Sequence, residues 1–288
     1  NRTMLYPSNN VNKIINRIVW VTQRSIEAEE NRVLKKEERK EKIKKNNSLV
    51  SNIQKVRSIS LWIFIIPFIS INVCLLIITK FHQLLAPGVP IHSSMFPYLD
   101  GGVSISRVVR NYPLYLIFKP AMFLTSILLI QYWLITKKII NNLERNHKYL
   151  KKIIFFGITS AVFLTIHSIF LGIKIDNDLY KLLRRFVLLS FILFELIAQA
   201  YLVAIYLQLG KKINKHINKK ILQVKKNLVT VLIMASVVAL PFLPFDNFKF
   251  LKHALEWNLF LGLIIFYLLT YFMWKKNSLK LLSNPTTP

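Results

Sequence analysis

Six long apolar runs, separated by basic connections, occupy the chain from residue 61 onward. Each run is close to the ~20 residues with which an α-helix crosses the hydrocarbon core of a bilayer. A soluble domain would instead interrupt its apolar residues with polar ones at a period of about two or about 3.6 residues. The pattern therefore predicts an all-α membrane protein with six transmembrane helices between residues 61 and 275. The runs are Leu61–Thr79, Leu114–Thr136, Ile153–Ile173, Phe186–Leu209, Leu228–Phe245 and Leu255–Trp274.

Residues 1–60 are the part of the chain with a soluble pattern. Five apolar residues recur there at three- and four-residue spacing, which predicts an amphipathic helix suited to a membrane surface. They are Val11, Ile14, Ile15, Ile18 and Val19. A charged stretch over residues 26–45 follows, and we expect a solvated helix there rather than one that binds a partner. Residues 46–51 then form a polar linker, and residues 276–288 form a tail.

The basic residues predict the orientation of the spans. The chain contains 40 Lys and Arg against 13 Asp and Glu. Thirty of the 40 lie in residues 1–60, in the two connections 137–152 and 210–226, and after Trp274. These segments alternate correctly with six spans, and cytoplasmic loops carry the excess of Lys and Arg in membrane proteins. We therefore expect both termini and the basic N-terminal helix in the cytoplasm, with a long first outer loop between the first two spans.

The formal net charge of +27 also bears on the partners of the chain. Because the charge lies between apolar blocks, we expect anionic phospholipid head groups at the cytoplasmic face as partners, and no nucleic acid. The single cysteine, Cys74, excludes an internal disulfide. Nucleotide-binding loops, metal-ligand spacings and nucleophile elbows are absent from the sequence. We therefore predict no cofactor, no metal and no catalytic residue.

Three polar side chains lie inside the predicted spans. Glu195 and Gln199 are one helical turn apart in the fourth run, and His167 lies in the third. Counted from the outer ends of the two runs, His167 and Glu195 are both roughly 10–14 Å deep, which would place them against each other. An ionisable group at that depth is costly unless it has a partner. The three residues form either a structural hydrogen-bonded cluster or a proton relay, and the relay would suit a proton- or solute-coupled transporter.

Short motifs near the first outer loop and the last span carry a resemblance. The stretch Ser104-Ile105-Ser106-Arg107, then Asn111-Tyr112-Pro113, resembles a loop of the Frag/DRAM/Sfk membrane proteins, and Glu256-Trp257 is similar to the Glu-Trp of their last span. That family includes the glycosylphosphatidylinositol-lipid remodelling factor and the DRAM autophagy modulators. The resemblance covers about Leu61–Lys275 and implies six spans with cytoplasmic ends. It also implies a role in handling membrane lipids without an assigned catalytic reaction.

The same loop contains candidates for binding a lipid head group. Arg107, Arg110 and Lys119 carry the charges that a phosphate prefers. Tyr112 and Tyr115 are the aromatic residues expected at a membrane interface. The competing interpretation is that these cations only anchor the span, with their stems buried and their charges in water. Family-motif positions complete the candidate set: Ser104, Ser106, Pro113, Glu256 and Trp257.

Overall fold

A computed structural model describes residues 9–81, 83, 96–145, 147–173, 175, 177–214, 216–239 and 246–275. These residues are almost entirely helical, and the one β-type contact in the described part is an isolated bridge between Ile217 and Trp274. A 3-10 turn, Asp246–Phe248, precedes the last helix. The α-helices are α1 Asn9–Thr79, α2 Pro97–Asp100, α3 Ile105–Val109, α4 Leu114–Leu143, α5 Leu150–Phe170, α6 Asp178–Gln208, α7 Gly210–Ile213, α8 Lys219–Ala239 and α9 Lys249–Met273.

Six of these helices, α1, α4, α5, α6, α8 and α9, are long and apolar enough to cross a membrane. The prediction of an all-α, multi-pass membrane protein with six spans is therefore confirmed. Large apolar side chains on the outside of the bundle agree with it. Along α8, for example, Val231, Met234, Val237 and Val238 are each more than half exposed, as expected for a surface that faces lipid.

The chain divides into two compact units, residues 1–48 and residues 49–288. The described side chains of the first unit are exposed, which fits the predicted solvated helix. Val19 is exposed as well, whereas the side chains of Val11, Ile14, Ile15 and Ile18 lie outside the described residues, as does the tail from residue 276.

The predicted linker at residues 46–51 contains the boundary between the two units, but it is helical, because α1 runs through it without a break. This stretch contains no Gly or Pro to end a helix. Leu49, Val50, Ile53 and Val56 follow at helical spacing and are all buried in the core of the second unit. The bundle therefore begins at Leu49, about three turns before the apolar run at Leu61.

Small residues allow the spans to approach closely. A Cβ added at Gly157 of α5 would come within 2.5 Å of the Trp133 ring on α4, and one at Gly262 of α9 within 2.4 Å of Leu232 on α8. A larger residue at either position would force its neighbour to shift, and small residues are common at such contacts between helices in membranes. Trp133 is consequently fully buried at the centre of the core.

The two ends of the bundle differ in what they contain. We call one end of the bundle the loop end. It contains α2 and α3, the first turns of α4, α6 and α9, and the last turn of α5. The basic end carries the connections 144–149 and 209–218 together with Trp274. At the basic end, Lys212 forms a 2.8 Å ion pair with Glu144.

Candidate functional sites at the loop end and in the core

At the loop end, the segment after α2 packs directly on the first turns of α9. Gly101 ends α2 with a φ of 61°. A Cβ there would lie 1.8 Å from the carbonyl oxygen of Phe250, so only glycine fits. The imidazole Nδ1 of His253 lies 2.9 Å from the carbonyl oxygen of Gly101. The backbone of the loop is thus fixed against the backbone of α9.

Trp257 and its neighbour Asn258 extend this contact. The buried indole Nε1 of Trp257 donates to the carbonyl oxygen of Val103 at 2.8 Å. Asn258 Nδ2 donates to the carbonyl oxygen of Tyr98 at 2.7 Å. The rings of Tyr98 and Trp257 also meet edge-on, with their centroids 4.8 Å apart. Through these contacts Trp257 attaches the loop to the last span.

The two serines of the loop motif begin α3. Ser104 caps this helix, since its hydroxyl accepts from the backbone N–H of Arg107 at 3.3 Å. The hydroxyls of Ser104 and Ser106 are 3.3 Å apart, and the backbone N–H of Ser106 interacts with the Glu256 carboxyl. Ser104, Ser106, Glu256 and Trp257 therefore meet in one place, while Pro113 lies directly before α4.

Three arginines come together beside this loop. Arg107 and Arg110 lie three residues apart at α3, and Arg184 lies near the start of α6. Arg110 is half-buried, and its burial together with the charges of Arg184 and Arg107 lowers the pKa of its guanidinium. The Nε atoms of Arg110 and Arg184 are buried without a protein hydrogen-bond partner. Among the described residues, no carboxylate forms an ion pair with any of the three.

Arg184 was not in the predicted head-group set, because it belongs to a different connection from the loop. It shares a face with Tyr180, whose ring centroid is 6.0 Å from the Arg184 guanidinium. The Tyr180 hydroxyl in turn donates to the carbonyl oxygen of Phe170 at the end of α5. The only signal in the sequence is its place just before an apolar run, where a cation at head-group level is expected.

The remaining head-group candidates lie slightly apart. The ammonium of Lys119 is 5.9 Å from the ring centroid of Tyr115, which itself packs 6.3 Å from Tyr112. Tyr115 lies over Gly172 at the end of α5. Tyr112 is 70% exposed. The interactions described for Lys119 are with Tyr115 and not with the arginines, so it flanks the cluster.

In the core, Glu195 joins three helices. It is 1% exposed. Its Oε1 accepts from Gln199 Nε2 at 3.1 Å and, through a very short contact, from the Tyr267 hydroxyl of α9. Its Oε2 lies 2.6 Å from the Ser160 hydroxyl of α5. Gln199 also donates to the carbonyl oxygen of Leu263 at 3.2 Å. Glu195 and Gln199 thus form the predicted buried cluster.

The predicted placement of His167 against Glu195 is wrong. Ser160 occupies that place, two turns of α5 away from His167. His167 is buried near the end of α5, its Nδ1 has no partner among the described residues, and it is close enough to Arg184 for their charges to interact. The error arose from counting depth from the apolar runs. Because α6 begins at Asp178 rather than at Phe186, Glu195 lies much deeper than His167.

The groups bonded to Glu195 are all neutral. The Ser160 hydroxyl is within donor distance of Glu195 Oε2 at 2.6 Å and of the carbonyl oxygen of Gly157 at 2.9 Å. No cation lies within ion-pair distance of Glu195 in the described part of the chain. A buried carboxyl group without a nearby cation is more stable uncharged than ionised at this depth.

Lys225 is a core residue that the sequence interpretation missed, since it was counted with the basic connection 210–226. It is 0% exposed. Its Nζ donates to the Thr270 hydroxyl at 2.6 Å and lies 3.8 Å from the ring centroid of Phe266. The available signal was its helical phase. Leu222 and Val229, three residues before and four after it, share its buried face of α8.

A small space adjoins Glu195, with a volume of about 20 Å³. This is about the size that holds one water molecule. Apart from Glu195, Thr125 and Tyr267 its lining is apolar, including Leu129, Leu164 and Phe191. The space is too small for a solute.

Comparison with protein-family models, with curated proteins and with solved structures finds no match to this chain. The described residues contain no group of His, Cys, Asp and Glu that could hold a metal ion. The function must therefore be argued from the geometry of the two sites.

Proposed function

We propose that this protein is an integral membrane protein that binds the anionic head group of a membrane lipid at its loop end, and that it takes part in handling or organising that lipid. The observation that carries the proposal is the cluster of Arg107, Arg110 and Arg184. Arg110 and Arg184 are half-buried and Arg107 is exposed beside them, and the buried Nε–H groups of Arg110 and Arg184 have no protein acceptor. A phosphate would fill this gap, since guanidinium groups bind phosphate oxygens through paired hydrogen bonds.

The position of the cluster favours a lipid as the source of the phosphate. Arg184 lies six residues into α6, just before the apolar part of that span, and is therefore at the height of the head groups. Tyr112 and Tyr180 flank the region, and aromatic residues are common at this level. A lipid would reach the arginines from the side, with its acyl chains along the exposed apolar surface of the spans.

The resemblance to the Frag/DRAM/Sfk proteins supports the same function. Its motif residues come from two segments that are far apart in the sequence and meet at one place beside the arginines. These are Ser104 and Ser106 in the loop and Glu256 and Trp257 in the last span. We extend the proposal to orientation on the basis of the basic residues. Both termini and the basic end then face the cytoplasm, where the Lys-rich connections meet anionic head groups, and the arginine site serves the opposite leaflet.

Lipid retention tests the proposal. Arg184→Gln should lower the amount of anionic phospholipid that co-purifies in mild detergent by about tenfold or more. It removes one of the guanidinium groups that hydrogen-bond the phosphate. Arg185→Gln is the matched control, since Arg185 is exposed on the next position of the same helix. Equal retention by both variants, measured by mass spectrometry of the extracted lipids, would contradict the proposal. An equal loss of lipid from both variants would show a general attraction to positive charge rather than a defined site, and it would also contradict the proposal.

A proton- or solute-coupled transporter is the alternative function. One observation favours the proton part, which is the buried carboxyl group of Glu195 bonded to Gln199 without a nearby cation. His167 does not join this group, and the adjoining space of about 20 Å³ does not admit a solute. Uptake of a solute by proteoliposomes that depends on Glu195 would favour this alternative.

A further inference from the structure

We infer that the arginine cluster at the loop end selects a phosphomonoester head group, such as that of phosphatidic acid, over a phosphodiester such as that of phosphatidylglycerol. Arg110 and Arg184 hold the phosphate, and Arg107 binds the additional charge that distinguishes the monoester. The inference rests on the proposed function, because it names the class of head group that the same site takes.

Three buried nitrogen atoms at the loop end have no hydrogen-bond partner among the described residues. They are Nε of Arg110, Nε of Arg184 and Nδ1 of His167. His167 is 8% exposed, and it is close enough to Arg184 for their charges to interact. A phosphomonoester has three free oxygen atoms that accept hydrogen bonds, whereas a phosphodiester has two. With a proton on Nδ1 of His167, each of the three nitrogens can therefore have an oxygen of the monoester to itself.

The charge of the cluster also favours a monoester. Arg107, Arg110 and Arg184 carry three positive charges, and none of them forms an ion pair in the described part of the chain. A phosphomonoester carries about −1.5 to −2 at neutral pH, and nearby cations favour its doubly charged form. A phosphodiester, with its single negative charge, would leave two of the three positive charges without compensation. The doubly charged monoester leaves only one.

Arg107 differs from the other two arginines in its surroundings. Its side chain is exposed, whereas Arg110 and Arg184 are half-buried. The charged or titratable groups that interact with it are Arg110 and the imidazole of His253 on α9. The Glu256 carboxyl interacts instead with the backbone N–H of Ser106. Arg107 therefore adds a positive charge at the exposed edge of the site, and its loss leaves the two half-buried arginines in place.

The surface beside the cluster suits a lipid rather than a soluble phosphomonoester. Large apolar side chains are exposed at the loop end of two spans, namely Leu116 and Ile117 in the first turn of α4 and Ile169 in the last turn of α5. Acyl chains can lie on this apolar surface while the phosphate reaches the arginines at head-group level. Burial of the chains then adds to the affinity that the charges provide.

Binding to lipid-stripped protein in detergent tests the inference, with three probes. These are short-chain phosphatidic acid, phosphatidylglycerol of the same chain length, and glycerol 3-phosphate. We expect wild type to bind phosphatidic acid about tenfold or more tightly than phosphatidylglycerol, because the monoester gains a further charge-assisted contact. Glycerol 3-phosphate should bind much more weakly than phosphatidic acid, because it lacks acyl chains. Isothermal titration calorimetry measures the three dissociation constants.

Arg107→Gln tests the residue that we assign to selectivity. It should reduce the preference for phosphatidic acid to about twofold or less, mainly by weakening the binding of phosphatidic acid. Arg185→Gln is the matched control, because it removes the same charge from an exposed position at the same end of the bundle and should keep the wild-type preference. A purely structural role of Arg107 would weaken the binding of both lipids alike, so the ratio of the two affinities separates the roles.

Equal affinities of wild type for the two lipids would overturn the inference and leave the proposed function standing, whether or not any variant folds. An unchanged preference in Arg107→Gln, or the same loss of preference in Arg185→Gln, would also overturn it. Glycerol 3-phosphate that binds as tightly as phosphatidic acid would overturn the assignment to a lipid. If neither lipid binds wild type, the proposed function itself fails, and the inference fails with it.

Discussion

The loop end and the core of the bundle hold their charged groups in opposite ways. At the loop end, Arg107, Arg110 and Arg184 are grouped with no opposite charge in the described part of the chain, and two of their Nε–H groups lack an acceptor. In the core, Glu195 and Lys225 are each bonded to neutral hydroxyl or amide groups. In the proposed function an anion from outside the protein completes the first arrangement, whereas the second is complete when its groups are uncharged.

This difference separates two meanings of a buried polar residue in a membrane protein. A cluster of like charges is destabilising by itself, and it is favourable only when a ligand neutralises it. A neutral hydrogen-bonded cluster stabilises the fold without any ligand. Substitutions of the loop-end arginines should therefore change binding more than stability, and substitutions of the polar core residues should do the reverse.

The largest effect is expected at Gly101, where the loop meets α9. Gly101→Ala forces a Cβ against the carbonyl oxygen of Phe250, so the loop must leave its place and the arginine cluster is lost. We expect retention of anionic lipid to fall below detection, with a loss of unfolding free energy of about 1–3 kcal/mol. Gly210→Ala is the control, because nothing lies within 4 Å of a Cβ at that position. A Gly101→Ala variant that binds lipid normally would show that the docked loop is not part of the site.

Glu195 should give the next largest effect, and on stability rather than binding. Glu195→Leu leaves Ser160, Gln199 and Tyr267 without their partner, which should cost about 1–2 kcal/mol. Glu195→Gln keeps both a donor and an acceptor in the same place, so it should change stability by less than about 0.5 kcal/mol. Unfolding followed by circular dichroism in detergent distinguishes the two. If Glu195→Gln were as damaging as Glu195→Leu, the carboxyl would have to be ionised in the folded protein.

A substitution at Arg110 should not destabilise protein that has been stripped of lipid, in contrast to Glu195→Leu. Arg110→Gln removes a half-buried cation that is repelled by Arg107 and Arg184, so it should leave the stability of the stripped protein unchanged or raise it by about 0.5 kcal/mol. The same variant should lose the stabilisation that added anionic lipid gives to wild type. A clear loss of stability in the stripped variant would instead indicate a structural role for Arg110.

The smallest effect is expected at the basic end, from the exposed ion pair of Glu144 and Lys212. The hydrogen bond from Lys212 lowers the pKa of Glu144 below its ordinary value of 4.5. A lowered acid pKa adds stability above the unfolded-state value, and this stability is lost as the pH falls through the folded-state value. Wild type should therefore lose slightly more thermal stability than Glu144→Gln between about pH 5 and about pH 3. Parallel curves for the two proteins would mean that the pair contributes nothing.

The spans could be predicted from the sequence because six apolar runs of membrane length leave little choice of fold. The points at which the helices of the bundle begin to pack could not be predicted in the same way. Leu49 and Asp178 lie well before the apolar runs that follow them, since polar residues continue a helix as readily as apolar ones when no Gly or Pro intervenes. The depth of Glu195 was misjudged for this reason, and His167 was paired with it wrongly.

The candidate site could be predicted only in part. Arg107 and Arg110 were found because they share the loop, and Glu195 and Gln199 because they share a turn of one helix. Arg184 and Lys225 were missed, because each reaches its partners through contacts between segments distant in sequence. The attachment of Val103 to Trp257 is of the same kind, with a sequence separation of 154 residues. Such pairs depend on which faces of the helices meet, and composition does not specify this.

The central claim is that the loop end binds an anionic head group while the core does not. Titration of lipid-stripped protein with short-chain phosphatidylglycerol and with phosphatidylcholine, followed by the unfolding temperature, tests it most directly. A ligand that binds only the folded state raises this temperature with its concentration. We predict a saturable rise with phosphatidylglycerol for wild type and for Glu195→Gln, and none for Arg110→Gln combined with Arg184→Gln. Equal rises with both lipids, or a rise that survives the loss of both arginines, would contradict the claim.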